Sequence, residues 1–275
     1  MKERFELRPI GVVRSPVADT HAMPVNGVPA AVEVYEEFAP ALAQLESNTH
    51  IWVIAWLDRA DRDCLQAAGR HGRPGGNERG VFSLRHASRP NPLGLTPARL
   101  LGVDGRQVRL DRLDFVDGTP VVDLKRYSPG WDAIFAARTY YETLPRGDER
   151  PEQLAEDFFL DAVRFHGEEC VGAALAARMM VHVVRAWNVA VRDPALRVDV
   201  GRDGCLADGL QAITGATLGS GRLQVHDDVS VRFTHGWQHL RLRPRSQLPL
   251  RPEEVLQAPE SALFGIHEQR ATDMV

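Results

Sequence analysis

Arg85 and Arg89 stand in the stretch GVFSLRHASRPNPLG, residues 80–94, where two guanidiniums accompany a proline-rich run. A guanidinium can grip a carboxylate or phosphate with two parallel hydrogen bonds, so the pair points to an anionic group on a ligand. Pro90 and Pro92 fix φ and push the residues before them toward extended backbone, which makes a stiff arch. Gly94 then lets the chain turn or approach a ligand closely. The plainer reading of the arch is a proline-rich surface turn between strands. A second reactive set lies downstream. His166 and Cys170 are four residues apart, on one face if the segment is helical, and Cys205 opens another helical stretch with Asp208 one turn on. One imidazole and two thiols make a soft donor set with an open position, for which zinc is the usual occupant. A thiol at a helix N-terminus is also expected to ionise at lower pH than a free one. The opposing reading makes Cys170 and Cys205 small buried hydrophobes.

These side chains need a scaffold, and 275 residues with 44% hydrophobic content can bury a core in one or two domains. In the first half, RPIGVV, AAVEVY, HIWVIAWL, GVFSLR, ARLLGV, RQVRL and TPVVDLK read as short strands bounded by Gly, Pro and Asp. Asp104-Gly105 and Asp117-Gly118 are turn signals. Strands so spaced suggest a closed or sandwich-like antiparallel sheet. No GxGxxG follows a first strand, so a dinucleotide-binding fold is not supported. The polar stretch ETLPRGDERPE, residues 142–152, reads as a linker. Beyond it, residues 152–190 read as helical, with ECVGAALAARMMVHVVRAW as an apolar helix. Strand LRVDVG, helix CLADGLQAIT, strands RLQVHD, VSVRFTH and HLRLRP, and a polar helix from residue 251 complete the chain. The expected layout is a mainly β domain over 1–143, a linker at 144–152, an α+β domain over 153–245 and a helical tail over 246–275.

The formal net charge is −4, so nothing global marks a nucleic-acid binder. Charge is uneven, however: Arg70, Arg73, Arg79, Arg85, Arg89 and Arg99 face a single acid, Glu78, over residues 70–99. Such a strip suits an anionic ligand or a phosphate backbone, and reads equally as a solvated arginine-rich loop. No apolar run reaches membrane-spanning length and the N-terminus lacks a signal-peptide core. Three scattered cysteines make no disulfide framework, so a cytoplasmic protein with no membrane partner is expected.

The ordered pieces RPIGVVRSP (8–16), HIWVIAWLD (50–58), GGNERGVFSLR (75–85), RPNPLGL (89–95) and LDFVDGTPVVDLKRY (113–127) resemble the TrmO (TsaA, YaeB) family. The resemblance implies an S-adenosylmethionine-dependent methyltransferase acting on N6 of threonylcarbamoyladenosine beside the tRNA anticodon. It also implies an antiparallel β-barrel and a homodimer with the cofactor near the subunit interface. By position it places cofactor contacts at Pro24, Val25, Asn26, Asp58, Arg59, Arg85, Leu95, Asp123, Leu124, Lys125 and Arg126. Arg85 would take the cofactor's carboxylate, Asp58 and Asp123 its cationic groups, and Leu95 an apolar face of adenine. Methyl transfer needs alignment of donor and acceptor above all. Where the acceptor carries a proton, Asp58, His86 and Tyr127 are the candidate bases, each of which also reads as a hydrogen-bonded loop residue.

In the second half, FHGEECVGAALAARM (165–179), CLADGLQAITGATLGSGRLQV (205–225) and VSVRFTH (229–235) resemble the FmdE family, named for a component of formylmethanofuran dehydrogenase. That likeness supports His166, Cys170 and Cys205 as a metal set, although Glu168 and Ala216 replace a His and a Cys of the family pattern. The leading reading is therefore a tRNA methyltransferase. One alternative is a methyltransferase whose acceptor is a small molecule, or a metal-bound thiol or chalcogen, held by the second domain. Another is a non-catalytic sensor of S-adenosylmethionine or metal. The acidic balance of the second half fits poorly with additional tRNA contacts.

Overall fold

The computed structural model describes residues 6–68, 78–139 and 141–269. The chain divides into two compact units, Met1–Ala133 and Ile134–Val275.

In the first unit, β1 (Gly11–Arg14), β2 (Val28–Val34), β3 (His50–Trp56), β6 (Leu93–Asp104), β7 (Gln107–Leu113) and β8 (Pro120–Arg126) close into a barrel. The order is β1-β2-β7-β6-β3-β8, and every pairing is antiparallel. Alternation does the sorting. Ile51, Val53 and Ala55 of β3 are wholly buried, whereas His50, Trp52, Ile54 and Trp56 point the other way. Gly105, at φ 57, turns the chain between β6 and β7 where Asp104-Gly105 announced a hairpin. Two-residue strands β4 (Gln66–Ala67) and β5 (Arg79–Gly80) pair outside the barrel, and helix α1 (Pro129–Asp132) follows β8.

GVFSLR is not the strand its composition suggested. Val81–Ser83 forms a 3-10 turn, because Val81 and Leu84 are buried from a loop and Arg89 takes both of their carbonyls. A side chain satisfies the backbone that a neighbouring strand would otherwise have paired.

The second unit packs α2 (Pro151–His166), α3 (Val171–Trp187) and α4 (Gly204–Thr214) with a five-stranded sheet. The strands are β9 (Arg197–Val200), β10 (Leu223–Val225), β11 (Val231–His235), β12 (Gln238–Pro244) and β13 (Phe264–Gln269), in the order β10-β9-β11-β12-β13. This is the expected α+β class. The helical stretch 152–190 is broken: Gly167, at φ 96, closes α2, and Cys170 caps α3. The helical tail is corrected too. Residues 252–257 and 260–263 form short helices α5 and α6, then β13 pairs with β12 from His239↔Gln269 to Pro244↔Phe264. Pro259 stops the helix, and burial of Leu263 and Phe264 draws the chain into the sheet. Nor is the stretch at 144–152 a free linker. Pro145 bridges to Ala190, and the Arg146 guanidinium donates to Glu149 at 2.8 Å and to Asp157 at 2.6 Å, all within the second unit. No helix of the described residues is long and apolar enough to cross a membrane.

Candidate functional site

Antiparallel pairing fixes which loops meet. The β1–β2, β3–β6 and β7–β8 connections all leave the same end of the barrel. They carry Pro24, Val25, Asn26, Asp58, Arg59, Arg85 and His86. Side chains tie them together. Arg59 Nη1 donates to the Ala18 carbonyl at 2.8 Å and Nη2 to that of Asp117 at 3.5 Å. Asp117 Oδ1 in turn accepts from the Ser15 amide at 3.0 Å. Asp117, read from sequence as a turn residue alone, therefore joins two loops. The β3–β6 connection is drawn in on itself: Arg62 Nε donates to the Pro90 carbonyl at 3.2 Å, and the Asp61 amide to Ser88 Oγ at 3.3 Å. Gly27, at φ 73, follows Asn26, and a Cβ there would stand 2.5 Å from the Leu113 backbone.

Arg85 is exposed and donates through Nη2 to the Leu95 carbonyl. Leu95 pairs with Ile54, and Ile54 pairs with Asp123 on its other side. Leu95 and Asp123 thus share one row on the outer surface, roughly 10 Å apart at two strand spacings. Asp123 is not a lone carboxylate: Lys125 Nζ lies 2.6 Å away, and this partner raises the Lys125 ammonium above its ordinary pKa. Leu124 turns inward and packs against the barrel core. Arg126, exposed, lies opposite Ile51 toward the far end of β8.

The candidate bases separate. Asp58 lies two residues past the end of β3 and is exposed. His86 Nδ1 lies 3.2 Å from the Ser88 carbonyl oxygen, an acceptor only, so Nδ1 carries a hydrogen and Nε2 is left to act. Tyr127 lies beyond the opposite end, its amide on the His50 carbonyl and its ring 5.5 Å from Trp52. From Asp123 to Tyr127 is roughly 13 Å of extended chain. The basic strip is likewise not one face. Arg89 turns into its own loop, Arg99 pairs with His50 at the far end, and Arg70 and Arg73 lie outside the described residues. Gly94 sits in β6, where a Cβ would come within 2.5 Å of the Phe115 ring.

The second cluster lies where α2 ends and α3 and α4 begin. His166, Cys170 and Cys205 offer donor atoms all within 4.8 Å of one another. They do not share a helix face, as the spacing had suggested. His166 is the last residue of α2, Cys170 caps α3 by accepting from the Ala173 amide at 3.3 Å, and Cys205 stands in the first turn of α4. Close helix contact makes this meeting geometric: a Cβ on Gly172 would be 2.5 Å from the Cys205 Cβ. Asp208 Oδ2 lies 3.0 Å from His166 Nδ1, which leaves Nε2, buried and without a hydrogen-bond partner, as the nitrogen turned to the thiols. A carboxylate behind the imidazole is the usual orienting partner of a metal-bound histidine. Glu168 Oε1 is 3.8 Å from Nε2, within range of a further ligand position. The Cys205 thiol does not follow the expectation for a helix N-terminus; burial, then the Cys170 thiol, pushes its pKa up. An orphaned imidazole nitrogen beside two thiols fits a soft divalent ion. Cys64 donates to the Gln66 carbonyl and takes no part.

The profile of the tRNA-methyltransferase O N-terminal domain matches residues 12–133, and that of FmdE, molybdenum formylmethanofuran dehydrogenase operon, matches residues 165–264. A probable S-adenosyl-L-methionine-binding protein of Archaeoglobus fulgidus is 36% identical over 231 residues, covering 79% of this chain and 60% of that protein. The matched stretch is longer than either compact unit. An S-adenosyl-L-methionine-binding protein of the same organism is 39% identical over 133 residues, 46% of this chain and 93% of that protein. The tRNA (adenine(37)-N6)-methyltransferase of Escherichia coli is 34% identical over 166 residues, 55% of this chain and 70% of that protein.

Proposed function

The chain belongs to the tRNA-methyltransferase O N-terminal domain family, and from that membership we propose that it is an S-adenosylmethionine-dependent methyltransferase acting on N6 of threonylcarbamoyladenosine in tRNA. The observation that supports this reading is that Arg85 closes on the Leu95 carbonyl, that Leu95 and Asp123 flank Ile54 in one row, and that Arg59 ties together loops leaving the same end of the barrel. The cofactor, when bound, supplies an electrophilic methyl on a cationic sulfonium. Arg85 holds a carboxylate: among the described residues it is paired with a main-chain carbonyl and no acid. The Leu95 side chain, 41% exposed, offers an apolar face. The Asp123–Lys125 pair and the Asp58 carboxylate supply acceptors. An acceptor nitrogen that took up the methyl would release a proton, and Asp58 or Nε2 of His86 would receive it. Tyr127 is too far along β8 to serve with them. Val25, Leu93 and Leu95 leave apolar surface exposed here, which a second copy would cover, so we read the working unit as a homodimer.

In the second unit, His166, Cys170 and Cys205 would hold zinc, with Asp208 orienting the imidazole. Bound zinc there would act as a Lewis acid with an open position for a soft ligand. That cluster supports a second reading, in which the methyl acceptor is a small molecule or a metal-bound thiol or chalcogen. Incubation with methyl-labelled cofactor and either total tRNA or a metabolite extract separates the two. Label in tRNA is expected. Label in small molecules alone would replace the first reading with the second, and no label with cofactor bound would leave a sensor.

A further inference from the structure

The GATLGSG stretch, residues 215–221, follows α4 at the end opposite Cys205, roughly 15 Å along the helix axis. Four guanidiniums gather on it. Arg222 Nη2 donates to the Gly215 carbonyl, and its Nη1 lies 3.5 Å from the carbonyl oxygens of Asp193 and Leu196. Arg192 Nη2 donates to the Ala212 carbonyl at 3.0 Å, and Arg197 Nη1 to the Gly221 carbonyl at 3.3 Å. A Cβ built on Gly215 would stand 3.4 Å from Arg138 Nη2 and 3.7 Å from Arg192 Cδ.

Among the described residues three carboxylates oppose these four cations, since Asp161 also feels the charge of Arg192. Glu142 lies 3.2 Å from Arg192 Nε, and Asp193 is shared with His235 at 3.4 Å. Arg138 and Arg197 are exposed and, among the described residues, donate to main-chain carbonyls and to no acid. Burial, and then the charges of Arg138, Arg192 and Arg197, depress the Arg222 pKa, so the guanidiniums feel one another. Carbonyls satisfy hydrogen-bond geometry there without cancelling the charge. The C-terminal end of α4 alone would repel an anion; ringed by guanidiniums, it attracts one. Gly215 and Gly221, at φ 61 and φ 68, keep the loop bare of side chains at both ends.

We propose that Arg138, Arg192, Arg197 and Arg222 form a phosphate-binding site on the 215–221 loop, taking a phosphate of an RNA backbone or the phosphate tail of a free nucleotide. A tetrahedral phosphate presents several acceptors to several guanidinium forks at once and supplies the missing negative charge. This goes beyond methyl transfer and does not depend on which acceptor is used.

The test uses the full chain without S-adenosylmethionine, so its failure and a failure of methyl transfer are read separately. Labelled single-stranded RNA is titrated by fluorescence anisotropy, and ADP and inorganic pyrophosphate by calorimetry. Arg138→Gln and Arg197→Gln are combined because both side chains are exposed, while Arg192 and Arg222 also hold the loop. Wild type is expected to bind at least one of these probes, and the double variant to bind it about tenfold or more weakly, with its circular dichroism unchanged. RNA binding without nucleotide binding assigns the phosphate to a backbone; the reverse assigns it to a free nucleotide. Absence of binding by wild type, or binding equal in the double variant, overturns the proposal and leaves the arginines as clasps for the end of α4.

Discussion

The Arg85 guanidinium donates to the main-chain carbonyl of Leu95, closing the proline arch onto the strand that follows it. The contact fixes a cation beside an exposed apolar side chain at the mouth of a barrel. Arg85→Ala is expected to weaken S-adenosylmethionine binding by about 10- to 100-fold, the size of a lost charge-assisted hydrogen bond. Arg85→Lys keeps charge and loses the fork, so it should fall between the two. Calorimetric titration reads all three proteins, and equal affinities would remove Arg85 from the site.

Metal analysis of purified protein tests the second cluster. Wild type should carry about one zinc per chain when prepared in its presence. His166→Ala, Cys170→Ser and Cys205→Ser should each lose it, and Asp208→Asn should weaken it about 10- to 100-fold, as orienting partners do. Metal retained by all three ligand variants would show that these thiols pack and do not coordinate.

Gly172 lets α3 reach α4. With a Cβ only 2.5 Å from that of Cys205, Gly172→Ala should cost about 1–3 kcal/mol of stability and lower zinc occupancy together. Gly219→Ala is the control, since nothing lies within 4 Å of its added carbon. Thermal unfolding in both variants, with metal analysis, checks the pair; a neutral Gly172→Ala would mean that the helices can separate freely.

His182 Nδ1 lies 2.9 Å from Glu260 Oε2, and that contact, with Arg178 and Arg185 behind it, holds the Glu260 carboxyl below its ordinary pKa. The fold therefore favours the ionised form. Its contribution is present above the ordinary glutamate pKa and is lost as pH falls through the lowered one. Melting temperatures of wild type and Glu260→Gln should differ most near neutral pH and converge on acidification. A gap that widened in acid would contradict this sign.

Much of the barrel is legible in the chain because β3 alternates so cleanly, Ile51, Val53 and Ala55 in and their neighbours out. Alternation cannot report where a side chain replaces a strand, and so GVFSLR misled: Arg89, eight residues from Val81, supplies the partner a ladder would have given. The tail misled for a related reason, since helix-forming composition before Pro259 says nothing of the β12 edge waiting for Phe264–Gln269. His166, Cys170 and Cys205 were recognisable as ligand types, yet their meeting depends on a break at Gly167 and a close approach at Gly172. Neither is a periodicity. The arginines on the 215–221 loop come from segments distant in sequence, so their summed charge is visible only in the fold.

The central claim, that the end of the barrel holding Arg85 moves a methyl group to tRNA, is tested most directly by nucleoside analysis after reaction. Purified protein, S-adenosylmethionine and tRNA bearing threonylcarbamoyladenosine are incubated, and the digested nucleosides are weighed by mass spectrometry. Wild type is expected to yield that nucleoside carrying one additional methyl at N6, and Arg85→Ala to yield little of it at the same cofactor concentration. Unmodified nucleoside from wild type that binds S-adenosylmethionine, or equal product from Arg85→Ala, would contradict the assignment.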